Sequence, residues 1–551
     1  MNTDSPTGIR KWMPLGVLAF ALLIIILDTT ILNVSLRTII TDLHTNIQSM
    51  QWVITAYSLM LAAFTITGGR LGDLFGRKKM FVTGAIIFAV GSFITSISSS
   101  VGMMIVGEAI IEGIGAALML PATSSLLISN YSGRDRQIGF GIWGGIAGAG
   151  AALGPVFGGF LTTYYSWRWA FRINIFVAIL LVAGAYVIKE FRDTGEKPQL
   201  DYLGIVLSSV AMFLVVFGII ESSTYGWIVA KQAFVLGSLS FAFLGSVSIV
   251  VPSIILGLIF LALFVLWQRR REKNNMTPLV SLSLFKNTVF VRGALIVAIL
   301  SLGQAGISFA LPVFFQGVLK LTPLQTGIAM LPMSLSLLVV SLVSAYVAKF
   351  FTPKRIIQFG LIINAIGFYV LSLGIGGDTS QWALAPGFVL FGIGMGLLFS
   401  QASNMTLSAV PVEQSGEAAG VNGTLRQLGA SLGSSIMGAI LLSSLSFNLV
   451  SGVQASAVIP EASKPAISQM VQAQSSAIEF SSPGAAPVST NVSPAITAEI
   501  LLISKQATID ASRNTLLYGI IFIGLAFLLS IRLPNKKPVE SPVATTRVAV
   551  Q

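Results

Sequence analysis

At 551 residues the chain is long enough for three or four soluble domains, but its composition excludes them. Hydrophobic residues make up 54%, charged residues only 10%, and mean hydropathy is +0.85, whereas a soluble domain carries about 25% charge; lipid has to be the main solvent. The formal charge of +12, from 33 Lys and Arg against 21 Asp and Glu, therefore needs a location before it implies a partner.

With 54 glycines and 35 phenylalanines scattered through apolar runs and no triplet glycine period, collagen-like and disordered chains are also excluded. No cysteine is present, so disulfides, thiolate nucleophiles and iron–sulfur clusters drop out, and the lone His44 cannot build a multi-histidine metal site. No metal site and no bound cofactor are expected.

Crossing about 30 Å of hydrocarbon takes about 20 apolar residues. In chain order the sequence predicts fourteen such spans, at 14–36, 50–69, 80–98, 102–127, 138–161, 169–188, 202–221, 250–268, 288–312, 324–348, 356–374, 382–407, 418–444 and 513–532. The basic start of the chain is followed by an apolar run without a small-residue cleavage site, which predicts a retained first helix and not a signal peptide. With the N-terminus inside, cytoplasmic loops collect Arg10, Lys11, Arg70, Arg77, Lys78, Lys79, Arg134, Arg136, the 269–273 cluster, Lys349, Lys354 and Arg355. Outside keeps only Arg37, Arg168, Arg172, Lys231, Lys320, Lys464, Lys505 and Arg513. That asymmetry predicts an even helix number with both termini cytoplasmic. Because the charges are spread over short loops and form no patch, nucleic acid is not an expected partner.

Three segments interrupt the pattern. The stretch 225–249 is apolar but broken by Gly226, Gly237 and Gly245, and predicts an interfacial or re-entrant hairpin. The segment 446–510 is rich in Ser, Ala, Val, Gln and Pro, and predicts an outer loop with short helices only. The tail 534–551 is polar.

The loop after the second span reads Gly68-Gly69-Arg70-Leu71-Gly72-Asp73-Leu74-Phe75-Gly76-Arg77-Lys78-Lys79. Its glycines permit a tight turn, and Asp73 beside Arg77 and Lys78 can latch neighbouring helix ends that later separate. The loop resembles the G-x-x-x-D-(R/K)-x-G-R-(R/K) pattern of the major facilitator superfamily: Gly69, Asp73, Gly76, Arg77 and Lys78 match, and Leu74 departs from the usual basic residue. In the fifth span Gly144, Gly145, Gly148, Gly150, Gly154-Pro155 and Gly158-Gly159 allow bending and close packing, which suits a hinge. Its G-P-x-x-G-G ending is similar to the signature of the superfamily's proton-antiporting exporters.

The first span carries Leu27-Asp28-Thr29-Thr30-Ile31-Leu32-Asn33-Val34-Ser35-Leu36, similar to L-D-x-T-x-x-N-V-A-L-P of the fourteen-helix drug:proton antiporters. The runs 392–396 and 420–429 are also typical of that family. The resemblance implies an all-α polytopic membrane protein with the major facilitator fold: a first six-helix bundle at 1–190, two linking helices at 200–270, and a second six-helix bundle at 286–533.

The fourth span departs from the family's R-x-x-Q-G-x-G-A-A: the arginine position is Ala109 and the glutamine is Glu112, preceded by Glu108 one turn earlier on the same helix face. A carboxylate at bilayer depth is costly and is a functional candidate by default. Asp28 and Glu112 lie about eight and ten residues from the outer ends of their helices, roughly 12 to 15 Å deep at 1.5 Å per residue. In the superfamily, helices one and four line the central path, so both acids can face one cavity and exchange protons; Glu108 is the one nearer the surface. Arg172 in the sixth span is the expected counter-ion for Glu112 or Glu108, and Glu221, at a helix end, an interfacial residue.

The second half has no acid deep in a span. Its amides and aromatic or methionine side chains suit a large amphiphilic ligand, and Asn33, Gln304, Phe309, Gln401, Asn404 and Arg426 are the expected substrate-path residues. The function expected is proton-coupled export of hydrophobic, cationic compounds by alternating access, energised by the proton gradient. Export of a lipid, glycolipid or other metabolite on the same fold is the alternative, and a periplasmic adaptor stays an open partner. A polytopic membrane enzyme is disfavoured because only His44 and no clustered loop acids are available. No phosphate-binding G-x-x-x-x-G-K-(S/T) loop exists for ATP coupling.

Overall fold

The computed structural model describes residues 9–45, 47–190, 200–231, 233–236, 239–240, 246–377, 379–478 and 493–535. The first half consists of α1 (Ile9–Asp42), α2 (Ile47–Phe75), α3 (Arg77–Ser96), α4 (Val101–Asn130), α5 (Gly133–Tyr164) and α6 (Arg168–Gly184). Next come α7 (Tyr202–Tyr225) and α8 (Val250–Lys273). The second half is α9 (Thr288–Gly317), α10 (Pro323–Val347), α11 (Pro353–Gly374), α12 (Ala385–Leu407), α13 (Ser415–Ala455), the shorter α14 (Lys464–Ile478), and α15 (Pro494–Ile531). Among the described residues, thirteen helices are long and apolar enough to cross a membrane. The 32-residue α5 stands outside that set, and several of its side chains, Pro155 among them, lie outside the described residues.

One apolar core is centred on the first half and continues across the seam to Phe290, Leu407 and Ala418, and a second lies within the second half. Between hydrocarbon-solvated helices the hydrophobic effect gives no preference for packing over lipid, so close backbone approach decides who pairs with whom. Gly91 of α3 shows it: a Cβ there would sit 2.6 Å from the Glu112 nitrogen and the Gly107 oxygen of α4, so only glycine lets these helices meet at this depth. The two halves touch along α5 against α10 and α12, and along α2 against α13.

Helices α7 and α8 pack on each other, with α7 lying against α2 and α13. Asp201, the N-cap of α7, accepts hydrogen bonds from Gly204 N at 2.9 Å, and from Trp267 Nε1 and Gln268 Nε2 of α8 at 2.8 Å each. Between them runs a short antiparallel pair, β1 (Val235–Leu236) with β2 (Leu239–Ser240), and Val229 bridges Val247. Parts of the 225–249 stretch, including 237–238 and 241–245, lie outside the described residues.

The 446–510 segment differs from a loop with short helices. Helix α13 runs on to Ala455, and α15 spans 38 residues, about 57 Å at the α-helical rise. The reason is a stripe at four-residue spacing, Leu441, Leu445, Leu449 and Val453, which with Ile467 of α14 and Ile500 of α15 forms a satellite core. Residues 479–492 and 536–551, which include most of the predicted tail, lie outside the described residues.

Candidate functional site

Three carboxyl groups meet in the first half. Asp28 comes from α1, and Glu108 and Glu112 from α4; they are 3%, 0% and 0% exposed, with carboxyl oxygens all within 4.8 Å of one another. Residues Ile105–Glu112 form a π-helix inside α4, the kind of local irregularity that recurs at functional sites.

The cluster has a polar frame that sequence reasoning missed. Asn174 of α6 donates its side-chain amide to Asp28 Oδ1 at 2.7 Å, to Glu112 Oε1 at 3.0 Å and to Ser92 Oγ at 3.2 Å. Ser92 of α3 donates to Glu112 Oε1 at 2.6 Å. Among the described residues, both oxygens of Glu108, Asp28 Oδ2, Glu112 Oε2 and the buried Tyr57 hydroxyl of α2 have no hydrogen-bond partner. Two unit charges at 4.8 Å repel by about 3 kcal/mol at an effective dielectric of about 20. Three ionised groups here would be costly, and protons or a cation shared among the oxygens remove that cost. The oxygen spacing is also one that can hold a metal ion, which the sequence did not lead us to expect.

Arg172 does not balance this cluster. Its guanidinium lies over the Trp169 ring at 5.3 Å, and among the described residues it forms no ion pair with Asp28, Glu108 or Glu112. Residues two apart on a helix point about 200° apart, so a helix that turns Asn174 inward turns Arg172 away. Nearby, Arg168 ties α6 to the end of α1 through Asp42 at 2.5 Å, and this pairing holds the Asp42 carboxyl below its ordinary range. Glu221, expected to be interfacial, lies near the end of α7 and is buried against protein.

The 68–79 segment, expected as a loop, is helical apart from Gly76, because α2 runs on to Phe75 and α3 begins at Arg77, and it is docked on the second half. Asp73 accepts from Arg77 Nε at 3.0 Å and Nη2 at 2.8 Å, and from the backbone nitrogens of Gly416 at 3.1 Å and Glu417 at 2.7 Å. A carboxylate on the first amides of α13 complements that helix's N-terminal partial charge. Arg77 also donates to the Val412 and Glu413 carbonyls. A side chain at Gly69 would overlap the Gly416 carbonyl, so the helices close only with glycine there. Gly76 adopts φ 107°, a backbone that favours glycine, beside the Glu190 carboxylate. That carboxylate accepts from Lys78 N at 3.1 Å and Lys79 N at 3.2 Å, capping α3.

The α5 glycines divide by face. Gly150, Gly154 and Gly158 lie against Ile26, Thr30 and Ile31 of α1, the turns on either side of Asp28, and a Cβ on Gly154 would overlap the Thr30 side chain. Gly141 and Gly145 instead face Ser341 and Leu338 of α10, and Gly159 meets Leu324. The helix thus joins the carboxyl-bearing α1 to the second half.

Of the substrate-path residues, Gln401 donates to Ser344 Oγ at 2.9 Å, Asn404 accepts from Ser408 Oγ at 3.2 Å, and Gln304 is partly buried. The Asn33 and Phe309 side chains lie outside the described residues. Arg426 lines a cavity between the halves with Thr65, Ser124, Trp143, Phe399, Ser403 and Asn422, with about 20 Å³ of room for water-sized molecules. The structure therefore brings the three acids together within the first half, and sets Arg426 apart from them, on the seam between the halves.

The sequence matches the family model described as Major Facilitator Superfamily over residues 18–252 and 232–434. It is 30% identical to the multidrug efflux pump LfrA of Mycolicibacterium smegmatis, over 93% of each chain. It is 29% identical to the tetracenomycin C resistance and export protein of Streptomyces glaucescens, over 80% of this chain and 79% of that one. Among solved structures, the proton:xylose symporter XylE superposes with a TM-score of 0.55 over 85% of this chain and 94% of that one, at 12% identity, a likeness of fold. Two packed helical halves, a glycine-closed loop latch between them and a family match from residue 18 to residue 434 lead to one conclusion: the chain belongs to the Major Facilitator Superfamily.

Proposed function

We propose that this membrane protein exports small hydrophobic or amphiphilic compounds by alternating access, in exchange for protons taken up at Asp28, Glu112 and Glu108. The observation that carries the coupling is the fully buried trio of carboxyl oxygens within 4.8 Å, framed by Asn174 and Ser92 and lacking any basic partner among the described residues. Export is supported by the relatives, one an efflux pump and one an export protein.

In this reading α5 is the fourteenth span, both termini are cytoplasmic, and the Asp73–Arg77 latch closes the cytoplasmic end. A proton arriving from outside neutralises one carboxylate of the trio and lowers the repulsion among the three, α1 and α4 relax against Asn174, and α5 passes the shift to α10 through its two glycine faces. The latch has to open before substrate can enter from the cytoplasm. An arriving proton and a leaving substrate then alternate on one path, which is antiport.

The test uses purified protein in liposomes with rhodamine 6G at equal concentration inside and outside, under an imposed proton gradient. Rhodamine should move against its own gradient, stop on addition of an uncoupler, and ignore a sodium or magnesium gradient of equal size. Movement driven by a sodium or magnesium gradient instead would assign the trio to a metal cation.

A further inference from the structure

Arg426 is a cation with no anionic partner among the described residues. It sits on α13 in the seam between the halves, and its guanidinium lies 5.7 Å over the Trp143 ring of α5. Among the described residues it makes no hydrogen bond or ion pair, and no Asp or Glu lines its cavity. An arginine keeps its charge in proteins and carries five N–H donors, so an isolated guanidinium away from bulk water is costly unless something visits it. Its neighbour Asn422 is a second, independent sign: 8% exposed and on the same cavity wall, its side-chain amide makes no hydrogen bond among the described residues, which leaves the amide N–H groups to donate to an anion.

The walls add aromatic surface. Trp143 is fixed by its ring nitrogen, which donates to Thr123 Oγ1 at 3.3 Å, and by an edge-on contact with Phe140; Phe399 closes the cavity from α12. One wall belongs to the first half and the guanidinium to the second, so the space widens when the halves part. As it stands it holds about 20 Å³, roughly one water.

We propose that Arg426 is the anion-recognising group of the substrate site, and that the exported compounds include aromatic amphiphiles bearing an ionised oxygen acid. The acid takes the guanidinium and the Asn422 amide, and the ring lies between Trp143 and Phe399. This rests on the export reading and adds anionic cargo to the hydrophobic, cationic compounds expected from the sequence. Anion recognition at Arg426 and proton uptake at the carboxyl trio then use separate places, so an acidic substrate never meets the acids that couple its movement.

Two xanthene dyes of opposite charge, fluorescein and rhodamine 6G, test it in the liposome assay. The wild type should move both, and Arg426→Gln should lower the ratio of fluorescein to rhodamine rates by about tenfold or more, the loss of one charge-assisted hydrogen bond. Arg426→Lys should recover much of it. An unchanged ratio in Arg426→Gln, or a wild type that moves rhodamine and no fluorescein, overturns the proposal.

Binding to the detergent-solubilised wild type, read by tryptophan quenching, needs no variant and no transport. Fluorescein should bind about tenfold or more tighter than its uncharged ester, and equal affinities overturn the anion site. If fluorescein binds in this way while no dye of either charge moves in liposomes, the anion site stands and the export reading falls.

Discussion

Replacing Asp73 with asparagine tests the latch at a single atom. The carboxylate receives four donors, two of them the Gly416 and Glu417 nitrogens of the opposite half. Asparagine keeps one acceptor oxygen and turns the other position into a donor facing an N–H. The variant therefore loses a charge-assisted bond of about 2 kcal/mol, together with about 0.5 kcal/mol of interaction with the α13 N-terminus. A shift of about 2 to 3 kcal/mol toward the open latch is about 30- to 150-fold in the closed-to-open ratio. The chain has no cysteine, so Lys79→Cys with Lys286→Cys places two spin labels, one on each half, without background. Pulsed dipolar distances should gain a longer population in the Asp73→Asn protein. A folded variant whose distances match the parent would refute the argument that these two amide bonds hold the halves together.

Gly154→Val should cost at least about tenfold in export rate at normal yield, because the new side chain overlaps Thr30 and must push α5 from the helix bearing Asp28, whereas Gly159→Ala, whose Cβ would meet Leu324 at 3.7 Å, should cost little. Equal losses in the two would show that the faces of α5 are interchangeable. Asn174→Ala removes the donor shared by Asp28 and Glu112 and should slow proton-driven export about tenfold, read as initial rhodamine rates. Arg172→Leu should leave export within about twofold of wild type, since the side chain rests on Trp169 and not on the acids; a loss as large as that of Asn174→Ala would return Arg172 to the coupling site.

Most helices were legible because their spans are long apolar runs, the glycine-rich α5 being the exception, and the meeting of Asp28 with Glu112 was legible because helical rise turns sequence position into depth. Facing was not. Arg172 and Asn174 are neighbours in the sequence, and only the packing of α6 against α1 and α3 decides which turns inward. The π-helix at Ile105–Glu112 leaves no composition signal, because both helix types are apolar runs. The loop motif showed Asp73 and Arg77, but its receivers at Gly416 and Glu417 sit far along the chain and look like an ordinary helix start. By contrast, the extension of α13 could have been read from Leu441, Leu445, Leu449 and Val453, whose four-residue spacing was hidden within a Ser-rich composition.

The central claim is that the buried carboxyl trio exchanges protons for substrate. A direct measurement is the proton count released when rhodamine 6G binds the detergent-solubilised protein in weak buffer, followed with a soluble pH dye. The account predicts proton release on binding to the wild type and a clear reduction in Asp28→Asn, with rhodamine still bound. Equal release from both proteins, or binding that moves no protons at all, would contradict it.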